Sequence, residues 1–177
     1  MVRRLVFDPT DGQSFIGQRL RFDWSLLKHG FVCRYDDGTY LQGACRRLTE
    51  LGYLVHQLDA GDWTGVADFY DSFADALSLP AHFGRNLDGL KDSLGSVAMF
   101  YHGSNAASTG TVVAIDNYQT LIDLDRDTAH HALDIFARQA SLGALLGHPM
   151  LCLVTTTDTE LGPVGGRPVF SGSTWND

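Results

Sequence analysis

The run Leu79-Pro80-Ala81-His82-Phe83-Gly84-Arg85-Asn86-Leu87-Asp88-Gly89-Leu90-Lys91-Asp92-Ser93-Leu94 decides how the chain reads. Pro80 pushes Leu79 out of the helical region, so the helix built by the preceding residues must stop there. Gly84 reads as the shaping residue of a loop, with a positive φ expected. Asn86 suits an N-cap, its side-chain oxygen free to accept an orphan amide of the first turn. Leu87, Leu90 and Leu94 then recur at helical spacing as one stripe facing a core. Asp88 and Asp92 share another face, with Arg85 just ahead, and Asp92 is expected to be exposed. Like charges one turn apart repel by a few tenths of a kcal/mol, and a cationic partner would remove that repulsion. The plainer alternative is a solvated face on which Asp88 only offsets the helix dipole.

Upstream, residues 54–58 read as a strand closed by the polar turn 59–62, and Val66, Phe69, Tyr70, Phe73 and Leu77 make the stripe of a helix. Further back, residues 31–35 read as a short strand. Tyr40, Leu41, Ala44, Cys45, Leu48 and Leu51 follow as a helix stopped by Gly52. Residues 1–30 show no clean period and read as a partly stranded extension. Downstream, the key helix is expected to end near Gly95, and residues 103–110 form a small, polar loop. Residues 111–115 and 150–154 read as buried strands. Between them lie a short helical or turn segment through Tyr118 to Leu124 and a helix capped by Thr128. The stretch 162–168 is too rich in Gly and Pro for regular structure, with Val169, Phe170 and Trp175 folding back afterwards. The expected architecture is α/β: a three-stranded parallel sheet flanked by helices, with an N-terminal extension adding a strand and a helix. One domain, 1–177, is expected, divided into an extension (1–50), a core (51–157) and an irregular tail (158–177).

The 177 residues carry a formal net charge of −8, and 44% are hydrophobic. An acidic chain is a poor nucleic-acid binder, since phosphates must be met by Lys and Arg. A basic protein is its natural complement. No run is long enough to cross a bilayer. The basic start at Arg3 and Arg4 precedes an apolar run too short for a secretory signal. Cys33, Cys45 and Cys152 are odd in number and at no metal-like spacing, which reads as reduced thiols in a cytoplasm.

No nucleophile elbow, phosphate loop or paired metal-ligand motif is present in the sequence. His130 and His131 are adjacent, so on a helix they point about 100° apart and cannot serve one metal. Asp116, just after a strand, suits a loop-start cap better than a crevice. Neither an active site nor a cofactor is expected.

The pattern Leu79-Pro80, Phe83-Gly84, Asn86-Leu87-Asp88, Leu90, Asp92 and Leu94 resembles the barstar family of intracellular ribonuclease inhibitors. The likeness extends from about Gly52 onward. It implies that the loop and helix plug the cleft of a basic, secreted-type ribonuclease or a related nuclease toxin, with helix carboxylates standing where RNA phosphates would bind. The residues it assigns to partner binding are His82, Gly84, Arg85, Asn86, Asp88, Lys91 and Asp92. Three positions depart from the family: His82 stands for Tyr, Lys91 for Trp, and Arg138 for an acid. A histidine at position 82 would couple binding to pH. The resemblance thus points to a cytoplasmic inhibitor or immunity protein that is not an enzyme. An interaction module for a different basic protein is the second reading, and an enzyme acting on a small molecule the third.

Overall fold

The computed structural model describes residues 5–174. Two short helices open it, α1 (Gly12–Gln18) and α2 (Phe22–Leu27), where a partly stranded extension was expected. Their cause is local. Asp11 caps α1 by accepting from the Ser14 amide, and Trp24 packs edge-on against both Phe7 and Phe15. The chain continues through β1 (Val32–Tyr35), α3 (Gly38–Glu50), β2 (Leu54–Asp59), α4 (Val66–Ala76) and α5 (Leu87–Ala98). After β3 (Thr111–Asp116) come α6 (Gln119–Leu124), α7 (Arg126–Leu145), β4 (Met150–Thr155) and β5 (Phe170–Ser171). Trp175 lies outside the described residues.

The sheet has five strands, not three, in the order β2-β3-β4-β1-β5, and every pairing in it is parallel. The three expected strands are neighbours as read, with Leu54 opposite Thr111 and Thr111 opposite Met150. The strand from the first fifty residues is not an appendage at the rim. β1 runs between β4 and β5, with Val32 opposite Cys152 and Cys33 opposite Phe170. Its near-continuous burial on both faces suits an interior parallel strand.

Helices cover both faces. On one, α4, α5, α6 and α7 bury Phe69, Phe73, Leu90, Leu94, Leu133 and Phe136 against Val113, Ile115 and Cys152. On the other, α2 and α3 bury Leu26, Leu41, Cys45 and Leu48 against Val112, Ala114, Leu151 and Leu153. Period-two alternation along β3 and β4 feeds both cores at once. Cys33 and Cys152 therefore sit on neighbouring strands but in opposite cores, and no disulfide joins them.

Two element ends differ from expectation. α5 passes through Gly95, which is buried against α7 beside Gln139, and ends at Ala98. α7 is capped by Asp125, which accepts from both the amide and the hydroxyl of Thr128, so Thr128 is the donor and not the cap.

Candidate functional site

α4 ends at Ala76, and Ser78 turns the chain at φ 51° while the Leu79 amide donates back to Ala74. That turn, followed by Pro80, launches the loop toward α5. The Phe83 amide donates to the Pro80 carbonyl at 2.9 Å, and the Phe83 ring is buried beside Tyr70. The loop is thus pinned by Phe83, with Leu79 half-buried against the core, while Ala81, His82 and Gly84 to Asn86 stay outside. Asn86 caps α5 as expected, its Oδ1 accepting from the Gly89 amide at 2.8 Å.

Gly84 lies outside the left-handed region, and a Cβ there would meet Gly89 Cα at an ordinary 3.6 Å. The expected positive φ is therefore absent. The demanding glycine is Gly89. A Cβ there would overlap the Gly84 carbonyl and stand 2.8 Å from Gly84 Cα, so the loop can fold down on α5 only over a bare helix position. A Gly inside a helical stripe was the only signal of it in the sequence.

The seven residues His82, Gly84, Arg85, Asn86, Asp88, Lys91 and Asp92 are all exposed. Leu90 and Leu94 hold their helix to the core from the opposite side. Arg85 does not serve Asp88 or Asp92. Its guanidinium pairs with Asp71 of α4, and that hydrogen bond raises its pKa. Both partners are more than half exposed, so the pair adds little stability. Its effect is on the surface charge: it removes Arg85 as a counterion. Among the described residues, no ion pair or hydrogen bond engages the side chains of Asp88, Asp92 or Lys91, and the Ser96 hydroxyl reaches only the Asp92 backbone carbonyl. Arg138 on α7 is likewise paired, its Nε donating to Asp134 at 2.7 Å.

Between loop and helix lies a cleft of about 270 Å³ whose lining includes Leu79, His82, Phe83, Asp92, Ser93 and His102. His102 was not foreseeable as part of this surface. It arrives on the segment after α5, where Phe100 takes φ 66° and stacks on the buried His148 ring at 4.2 Å. His56 of β2 reaches the Gly103 carbonyl at 2.7 Å and holds the same segment from the other side.

Elsewhere the chemistry is structural. Burial pushes the Cys33 and Cys152 thiols up to about 12 and Cys45 up to about 11, so none is a poised nucleophile. His130 reaches the Pro163 carbonyl at 2.9 Å, and no group of potential metal ligands occurs among the described residues. Asp116 accepts from Thr155 Oγ1 at 2.6 Å and from the Asn117 amide at 2.9 Å, which is a strand-end lock.

The family model for barstar, described as the barnase inhibitor, matches residues 53–155. The chain belongs to the barstar family. The match runs from the start of β2 to the end of β4 and contains the loop, α5 and both acids. No curated protein matches the chain. Among solved structures, it is similar to the ORC2 protein of Aeropyrum pernix in ADPNP-ADP complexes, at 14% identity and TM-score 0.52, over 85% of this chain and 41% of that one. It is also similar to Drosophila ORC bound to DNA, at 14% identity and TM-score 0.52, over 95% of this chain and 44% of that one. The chain spans less than half the length of either, and the likeness is one of fold.

The fold alone does not bring phosphate chemistry with it. In a parallel α/β sheet, phosphates are held at a strand–turn–helix junction by free helix amides. Here the turn after β1 carries Asp36 and Asp37, and the Asp37 carboxylate already accepts from the Thr39 and Tyr40 amides at 2.8 and 3.2 Å. The carboxylate of Asp116 stands against Gly38. A phosphate brought there would meet carboxylates at close range. Among the described residues, no helix is long and apolar enough to cross a membrane.

Proposed function

We propose that this barstar-family chain is a protein inhibitor that blocks the active site of a basic ribonuclease, or an immunity protein against a related nuclease toxin. One observation carries the reading: Asp88 and Asp92 stand exposed and without internal cations on a rigid helix, inside the segment that matches the family. Fixed carboxylates are suited to a cleft lined with Arg, Lys and His, where charge-assisted hydrogen bonds form without reorganisation. His82, Gly84, Arg85, Asn86, Asp88, Lys91 and Asp92 form the contacting surface, supplied by the 51–157 core. No catalytic group is assigned, and the protein acts in the cytoplasm by occupying its partner.

The test is titration of the full chain against barnase and a panel of other basic secreted ribonucleases, reading RNA hydrolysis and complex formation at pH 7.5. Stoichiometric loss of hydrolysis with at least one of them is expected. Absence of inhibition across the panel would remove this reading. Lys91 favours a second one, because an exposed cation between two acids is poorly matched to a uniformly basic cleft. On that reading the same surface regulates a different basic protein, identified as a lysate component that Asp92→Ala no longer captures.

A further inference from the structure

Two histidines from separate parts of the chain line the cleft beside Asp92. His82 comes from the loop and His102 from the segment after α5, and both are exposed. The other charged groups around them are few. The loop adds Arg85, tied to Asp71 with Asp75 nearby. α5 adds Asp88, Lys91 and Asp92, and α7 adds Arg138, tied to Asp134. β2 adds His56, which is turned toward the Gly103 carbonyl. With both arginines internally paired, the charge presented to a partner is set by Asp75, Asp88, Asp92, Lys91 and the cleft imidazoles. Neutral imidazoles leave that surface net negative. Two added protons cancel that negative charge.

We propose that His82 and His102 together form a proton-operated gate on the docking surface, admitting a basic protein at neutral pH and releasing it on acidification. The proposal rests on the inhibitor reading and adds regulation of that same site. Histidine is the side chain that ordinarily changes charge between pH 5 and 8. A basic partner disfavours the charged imidazole, so the complex holds fewer protons than the free chain. Acid therefore drives dissociation. An imidazole that must shed its proton to bind weakens affinity by about tenfold per pH unit once protonated. With two such imidazoles the losses multiply as pH falls.

The experiment measures Kd for the full chain and the ribonuclease of the panel bound most tightly at pH 7.5, at pH 7.5, 6.5 and 5.5. His82→Gln, His102→Gln and the double variant are compared with wild type. Each cleft variant should lose part of the weakening seen at pH 5.5, and the double variant most of it. Because both cleft residues are exposed, equal melting temperatures at pH 7.5 should accompany these shifts. A double variant that keeps the wild-type pH dependence overturns the gate, since the protons then belong to the partner. Binding at pH 7.5 with no pH dependence also overturns the gate but leaves the inhibitor reading standing. Failure of every nuclease to bind at pH 7.5 overturns the inhibitor reading, and the gate with it.

Discussion

Asp92 separates folding from binding most cleanly. It is exposed, and no ion pair or hydrogen bond holds its carboxylate among the described residues, so Asp92→Ala should change unfolding free energy by less than about 0.5 kcal/mol. Against a bound nuclease the same change strands the partner's cations, and affinity should fall sharply, most visibly at low salt. An aspartate of barstar itself is a known case of a very large charged hot spot; it sets the direction expected here, and no magnitude is taken from it. Equal affinity of variant and wild type at low salt would move the interface elsewhere. The glycines make a second contrast. Gly84→Ala should be tolerated, its new methyl in ordinary contact, whereas Gly89→Ala should cost about 1–3 kcal/mol by forcing loop and helix apart. Denaturant unfolding of the two variants side by side decides it, and the reverse order would mean that the loop does not rest on α5.

At the scale of elements, one buried carboxylate ties the N-terminal helices to the sheet. Asp23 of α2 is fully buried and accepts from Arg21 at 2.8 Å, from the Trp24 amide at 3.0 Å, and from the Tyr53 hydroxyl at 2.8 Å. Tyr53 stands at the foot of β2, and its burial beside Asp23 raises the phenol's pKa well above the usual range. Asp23→Ala would orphan the hydroxyl and leave Arg21 half-buried without a counterion, a loss of about 3–5 kcal/mol. Thermal melting with and without Tyr53→Phe checks the coupling. Additive losses would show that the hydrogen bond is incidental. Nothing in the local sequence singles out Asp23, because its partner lies thirty residues away.

For the whole molecule, two outcomes follow from how the layers are assembled. Asp134 is held below the usual carboxylate range, first by the Gly165 amide and then by Arg138. Asp59 is lowered by Asn117 and the Gly61 amide, Asp125 by Thr128, and Asp158 by the Glu160 amide. A carboxylate whose folded pKa is lowered stabilises the fold above its unfolded pKa, and that stability is lost as pH falls through the folded value. Melting temperature should therefore drop below about pH 4, and Asp134→Asn should flatten the drop. An unchanged slope in that variant would assign the acid loss to the other carboxylates. The second outcome concerns residues 1–50. Without them β4 loses one of its two strand neighbours, and the sheet face of Val112, Ala114, Leu151 and Leu153 loses the cover of Leu41, Cys45 and Leu48. A fragment spanning residues 51–157 should then lack fixed tertiary structure, read as lost near-UV circular dichroism. A cooperative, native-like melt of that fragment would show that β1 is dispensable.

Local physics made much of this legible in the chain itself. Pro80, the Asn86 cap and the Leu87-Leu90-Leu94 stripe defined a loop and helix with its acids outward, and short apolar runs marked four of the five strands. These features depend on neighbours within a turn or two, which the sequence contains. Tertiary structure decided the rest. Whether β1 sat at the rim or between β4 and β5 is a matter of strand neighbours, and a buried parallel strand carries no mark of which strands flank it. Arg85 turned to Asp71 rather than to Asp88 because α4 happens to pass beside the loop. Gly89, not Gly84, is the position with no room for a Cβ because backbone approaches backbone there, and such an approach exists only once the loop has folded onto its helix.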